Sequence, residues 1–293
     1  MEPLEIHAQN VWKRFGKKAV LKGLDLQIPR GAVVGLLGSN GSGKSTLLKC
    51  LLGLLKIDDG EIRLGGDDYW DLSVETKSRL GYVPQDITLF AWMQARQMVG
   101  YTAAFYPRWD DALVENLVQQ WDVPWDQRVG TLSTGQKQKL ALVMALGHRP
   151  ELLILDEPVG SLDPVSRREF LKSLVELTSD EQHTVLFSTH ITSDLERVAT
   201  HVAILRDGKI EYFNELDELK EQVKRIRITA AAELPATLQV PGALRIEVDG
   251  CDALIAVAEI NDELLESLRQ RWQAQVTVED LNLEEIYLEV HDA

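Results

Sequence analysis

The segment Gly38-Ser39-Asn40-Gly41-Ser42-Gly43-Lys44-Ser45-Thr46 fits the spacing G-x-x-x-x-G-K-[ST]. Its glycines tolerate backbone conformations that other residues avoid, so successive amides can converge on an anion. Lys44 would neutralise the β and γ phosphates of a nucleotide, and the Ser45 hydroxyl would ligate Mg²⁺. An acidic pair, Asp156-Glu157, closes the apolar run Leu152-Leu153-Ile154-Leu155. Open α/β sheets place ligands at the carboxyl ends of such strands. Asp156 suits a magnesium shell through water, and Glu157 is the candidate to polarise an attacking water. Gln85 in YVPQD and His190 ending LFSTH stand where further strands should end. The Gln85 amide could then serve Mg²⁺ and the lytic water, and His190 the γ-phosphate. The stretch TLSTGQKQKL at 131–140 leaves two readings open. Ser133 and Thr134 are either simple helix caps or part of a site that meets a phosphate at a helix start.

These residues need a framework of strands and helices. VVGLLGSNGSGKSTLLKCLLGLL changes period in its middle, from a buried strand through a glycine-rich loop to a helix. ELLILDEP and TVLFSTH read as two further buried strands, and VAILRDGKIEYF as a hairpin turning at Asp207-Gly208. Strands alternating with helices indicate an α/β domain with a mostly parallel sheet. Between Asp86 and Gln127 the pattern becomes helical and Trp-rich, as for an insert. After about Gln222, RIRIT, ALRIEV and ALIAVA read as short strands, the last two joined at Asp249-Gly250. INDELLESLRQRW is an amphipathic helix with Leu264, Leu265, Leu268 and Trp272 on one side. AQVTVED and LNLEEIYLEV follow as a strand and a final helix.

The 293 residues suffice for one large domain or two modest ones. No apolar run approaches the roughly 18 residues of a membrane span, and MEPLEIHAQ carries acids rather than the apolar core of a secretory signal. Cys50 and Cys251 lie far apart without metal-like spacing, which favours a reduced, cytoplasmic location. There are 31 Lys plus Arg against 46 Asp plus Glu, a net charge of −15. From Glu211 onward, 7 basic and 19 acidic residues give −12, leaving −3 for the first 210. So acidic a tail is a poor match for DNA, RNA or anionic lipid, and no nucleic-acid partner is expected.

The order GSNGSGKST, Gln85 before a helical insert, LSTGQ, LLILDEP, SLDP and His190 resembles that of ATP-binding cassette (ABC) ATPases. The resemblance covers about residues 4–220 and rests on five spaced motifs. It implies a P-loop NTPase fold of ABC type, with a mostly parallel core sheet, an antiparallel β part and a helical subdomain at about 86–148. By this likeness Gly38 to Thr46 is the Walker A loop, Asp156 and Glu157 belong to Walker B, and Gln85 is the Q-loop residue. Ser161 to Asp163 resembles the D-loop and His190 the switch histidine. Phe15, in KRFG, stands where the family has an aromatic that stacks on adenine. In the family an LSGGQ loop covers the γ-phosphate held by another subunit. Ser133 can hydrogen-bond that phosphate, Gly135 permits close approach, and Gln136 completes the motif. Thr134 replaces the family's Gly, and its β-branch narrows the allowed backbone.

The resemblance therefore implies residues 1–222 as an ATPase domain and 223–293 as a small α+β accessory domain. It implies ATP and Mg²⁺ as cofactors and hydrolysis coupled to transport, with two nucleotide domains, identical or not, dimerising around ATP. The implied partners are transmembrane permease subunits, which would hold the chain on the cytoplasmic face of the cell membrane. The short appendage ending DLNLEEIYLEV, and FYPRWD, resemble bacterial ABC-2-type export systems. The competing reading is a single-cassette ATPase with soluble partners, of the iron–sulfur assembly kind.

Overall fold

The computed structural model describes residues 4–178 and 183–291. The chain opens with β1 (Ile6–Phe15), β2 (Lys18–Ile28) and β3 (Val33–Leu37), then α1 (Lys44–Leu51). β4 (Asp59–Leu64), β5 (Asp67–Asp68), α2 (Val74–Ser78) and β6 (Leu80–Val83) follow. Three helices come next, α3 (Ala95–Ala103), α4 (Asp111–Gln120) and α5 (Thr134–Leu146). β7 (Leu152–Asp156), α6 (Pro164–Thr178), β8 (Thr184–Ser188), α7 (Thr192–Val198), β9 (His201–Arg206) and β10 (Lys209–Glu215) complete the α/β part. The remainder is α8 (Leu216–Gln222), β11 (Lys224–Thr229), β12 (Ala243–Asp249), β13 (Asp252–Val257), α9 (Asp262–Trp272), β14 (Gln275–Asp280) and α10 (Leu283–His291).

Two sheets build the first part. One has six strands in the order β10-β9-β3-β8-β7-β6, with β9, β3, β8, β7 and β6 parallel along their shared edges. The other is antiparallel, in the order β2-β1-β4-β5. β3, β7 and β8 are buried at every residue, as parallel strands covered on both faces must be. The fully buried Leu47, Leu48, Cys50 and Leu51 of α1 share one core with both sheets: Leu24, Ile28 and Ile62 of the antiparallel sheet, and Leu36, Ile154 and Leu186 of the parallel one. This core fixes α1 and the loop before it. The sequence suggests a helix running on to Leu55, but α1 stops at Leu51. There the amides of Leu54 and Leu55 both turn back onto the Lys49 carbonyl, which closes the helix end.

The chain divides into two compact units, one ending at Phe213 and the other starting at Asn214. The division falls earlier than the change of sequence texture at 222. α8 leads into β11 with no linker, so that change marks a strand onset rather than a junction. In the second unit the strand order is β12-β13-β11-β14, all antiparallel. Ile226, Ile228, Ile255 and Val257 are fully buried on one face, against Leu264, Leu265, Leu268 and Trp272 of α9. The amphipathic stripe read from the sequence is the one that packs. The turn between β12 and β13 is Gly250-Cys251, one residue later than expected, because Asp249 still pairs with Asp252.

Candidate functional site

The loop 38–43 links β3 to the start of α1 and is shaped by steric necessity. Gly43 has φ 112°, and a Cβ there would lie 3.1 Å from Val20 Cγ1. A Cβ on Gly38 would meet the Leu205 carbonyl oxygen at 2.7 Å. Lys44 curls under the loop and donates to the carbonyls of Gly38 at 2.7 Å and Ser39 at 3.3 Å. Burial pushes its ammonium pKa down, opposed by the negative charges of Glu157 and then Asp156. Its Nζ lies 3.9 Å from a Glu157 carboxylate oxygen. The Ser42 hydroxyl is buried and has no hydrogen-bond partner among the described residues. Such a group inside a ring of backbone amides fits an anion seated in the loop.

A cleft of about 240 Å³ opens above the loop. It is lined by Asn40, Gly41, Gly43, Lys44, Ser45 and Thr46, together with Val20, Gln85 and Glu157. Three separate strand ends therefore converge on one space: β3 through its loop, β6 through Gln85 and β7 through Glu157. Asp156 does not line the cleft. It is buried at the end of β7, where its Oδ1 accepts from Ser188 Oγ at 2.7 Å. Ser45, Gln85 and Asp156 carry hard oxygen donors of the kind Mg²⁺ takes.

Glu157 has a left-handed backbone, φ 52°, uncommon for a residue with a side chain. Ser188 holds it there, since the Glu157 amide donates to the Ser188 carbonyl at 3.2 Å and hydroxyl at 3.0 Å. Strain of about 1–3 kcal/mol is characteristic of such positions at functional sites. The turned carboxylate accepts a hydrogen bond from His190 Nδ1 at 2.9 Å. The sequence reading missed Ser188 and Val20. The β8 segment LFSTH carried the signal for Ser188, two residues before His190 on the same strand end. Nothing local marked Val20, because its role arises only where β2 crosses the loop.

Ser133, Gly135 and Gln136 do not line this cleft. Ser133 caps α5 in a reciprocal box, with the Gln136 amide donating to Ser133 Oγ at 3.2 Å and the Ser133 amide to Gln136 Oε1 at 2.9 Å. Thr134 is the first helical residue and is exposed, so its β-branch meets no backbone conflict there. A Cβ on Gly135 would lie 3.0 Å from the Ser161 carbonyl, so the LSTGQ segment and the Ser161-Leu162-Asp163 turn abut. Asp163 caps α6 by accepting from the Val165 and Ser166 amides, with Pro164 as first helical residue. Phe15 also stands outside the cleft lining. It is half exposed, with the Lys13 ammonium 5.4 Å from its ring centre. The tryptophans of the helical insert differ in burial. Trp121 is buried, but Trp92 is 69% exposed and continues with Phe90, Tyr101 and Phe105 as an exposed ladder of ring contacts.

Residues 21–160 match the family model "ABC transporter". The uncharacterised ABC transporter ATP-binding protein YhaQ of Bacillus subtilis is 31% identical over 290 residues, spanning 96% of each chain. This chain belongs to the ABC transporter ATP-binding proteins. The sulfate/thiosulfate import ATP-binding protein CysA of Methylococcus capsulatus is 35% identical over 225 residues, 74% of this chain and 64% of that one. A solved ATP-binding subunit of an ABC transporter superposes with a TM-score of 0.67 at 26% identity, over 74% of this ABC protein and 92% of that chain. The α/β fold expected of the family is the fold observed. Among the described residues no helix of this ABC subunit is long and apolar enough to cross a membrane.

Proposed function

We propose that this ABC protein binds and hydrolyses ATP to drive a membrane exporter, through dimerisation of nucleotide-binding units around ATP. The observation that carries the proposal is the division of the motif residues. Lys44, Ser45, Gln85 and Glu157 share a cleft, while Ser133 and Gly135 sit on another surface at a helix start. A site split in this way is completed when a second subunit brings its own Ser133 and Gly135 to the exposed phosphate. Bound Mg²⁺ would supply charge neutralisation on the β- and γ-phosphate oxygens. The chain's own groups do the rest. Lys44 and the loop amides hold the phosphates, Glu157 takes a proton from the attacking water, and His190 fixes the carboxylate that does so. Phe15 is assigned to the adenine, for which its half-exposed ring offers a stacking surface.

The exposed aromatic ladder after Gln85 supports docking of a permease there, which would hold the subunit on the cytoplasmic face of the cell membrane. Export rather than import is supported by the C-terminal unit. Its closing segment DLNLEEIYLEV, like FYPRWD, resembles those of bacterial ABC-2-type export systems. Purification of the tagged protein from native membranes tests the proposal. Co-recovery of a multispanning permease is the expected result. Recovery from the cytosol with soluble partners would favour the iron–sulfur assembly reading instead.

A further inference from the structure

The second unit carries an unfinished edge. β12 is the outermost strand of its sheet, and its apolar residues Leu244, Ile246 and Val248 are only partly buried. On the neighbouring strands the corresponding core residues, Ile255 and Ile226 among them, are fully buried. A groove of about 700 Å³ runs along this edge, lined by Leu238, Val240, Leu244, Ile246 and Arg271. The hairpin turn Gly250-Cys251 closes on the pair Asp249–Asp252. In two-residue hairpins the closing pair is hydrogen-bonded, so the backbone groups of Val248 and Ile246 alternate away from β13 and point outward. Exposed edges of this kind are templates for further strands unless they are blocked.

What would occupy this edge is written in its charges. β12 reads Ala-Leu-Arg-Ile-Glu-Val-Asp, with Arg245 and Glu247 flanking Ile246 on the face opposite the core. The two already form an ion pair of 2.6 Å within the strand. An antiparallel copy of the same strand, centred on Ile246, sets Arg245 opposite Glu247 of the copy and Glu247 opposite its Arg245. In the same register Leu244 meets Val248, and Ile246 meets itself. Opposite charges and apolar pairs directly across a ladder stabilise it, and like charges do the reverse. The register irregularity of β12 lies between Ala243 and Arg245, one pair in from the end of the ladder, and Arg245 to Asp249 pair without interruption. The other edge, β14, has no such self-complementary register, since its only charges are the acids Glu279 and Asp280.

We propose that β12 pairs antiparallel with β12 of a second copy of this chain, joining two C-terminal units into one eight-stranded sheet. The interface is isologous, with its two-fold axis at Ile246. It makes the cassette partner a second copy of this chain. It also holds the copies together once hydrolysis has opened the nucleotide interface, which raises the effective concentration for the next closure. The inference rests on the dimer reading above for its purpose only. The pairing itself requires no nucleotide, so the two readings fail in different experiments.

The full-length chain, free of nucleotide and Mg²⁺, is examined by analytical ultracentrifugation over a dilution series. The wild type is expected to dimerise. Arg245→Glu and Glu247→Arg each place like charges opposite one another twice, and each is expected to weaken self-association roughly tenfold or more. The double variant Arg245→Glu/Glu247→Arg is expected to recover dimerisation. A mixture of the two single variants is expected to form a heterodimer, because their altered edges complement each other. That recovery also shows both variants to be folded. A monomeric wild type, single variants that associate like wild type, or a mixture that fails to pair would overturn the proposal. A wild type that stays monomeric but whose β12 amides are protected from exchange in permease-bound complexes would assign the edge to the permease.

Discussion

Ser188 connects the two carboxyl groups to which the proposed function gives metal binding and hydrolysis. Its hydroxyl donates to Asp156, and its oxygens accept the Glu157 amide. Without that hydroxyl the Asp156 carboxylate is buried with one partner fewer, and the left-handed turn at Glu157 loses one of its two restraints. Ser188→Ala is expected to lower kcat roughly tenfold or more, equivalent to about 1.4 kcal/mol of barrier, with the KM for ATP little changed. Steady-state ATPase kinetics check this, and an unaltered kcat would show that Ser188 is only a core hydroxyl. At this scale the sequence was most legible where spacing is local. Gly38 to Thr46 are contiguous, and their function is set by the backbone between them. Asp156 and Glu157 are legible because four apolar residues lift them to a strand end. Ser188 and Val20 were not, because their contacts join residues 31 or more positions apart, or a strand to a loop it merely crosses.

At the scale of elements, the link from α5 to β7 runs through His148. Its ring is buried, stacks on Tyr106 at 3.8 Å and donates from Nε2 to the Leu80 carbonyl at 2.9 Å, while Nδ1 has no partner among the described residues. It thereby ties the end of α5 to β6, the strand that delivers Gln85. Burial pushes the pKa of His148 down to about 4, the Leu80 hydrogen bond opposing it. The unfolded chain, with an ordinary histidine pKa near 6.5, binds the proton more readily. His148 therefore lowers stability as pH falls from about 6.5 toward 4, by no more than about 3 kcal/mol. The melting temperature of the wild type is expected to fall more steeply across this window than that of His148→Gln, and parallel curves would refute the assignment. Element types were readable from periodicity, since 5-residue apolar runs and the α9 stripe are strong signals. Their ends were less so. The close of α1 and the β12–β13 turn depend on carbonyls and strand partners outside the segments themselves. Thr134 illustrates the converse, because a residue that breaks a motif takes an ordinary helical position once the cap at Ser133 is formed.

At the scale of the whole molecule, a parallel sheet gathers phosphate-binding loop, Gln85 and Glu157 at one edge, and leaves Ser133 and Gly135 on a separate surface. In the proposed function this division lets ATP act as an adhesive between subunits and its hydrolysis as a release. The unit boundary was the least legible feature of the sequence, since α8 is as polar as a surface helix of either unit and runs straight into β11. Part of the acidic charge of the C-terminal region is paired locally, with Arg225 bridging Glu285 and Glu289, and Arg227 bridging Glu279.

The central claim is that Glu157 drives hydrolysis in a site closed by a second chain. It is tested by giving Glu157→Gln ATP and Mg²⁺ and following both phosphate release and dissociation on dilution. Phosphate release is expected to fall by about two orders of magnitude or more, within the range that general-base catalysis supplies. ATP should remain bound, and the chains should stay together at dilutions where the nucleotide-free variant has come apart. Undiminished phosphate release, or the same dissociation with and without ATP, would contradict the account.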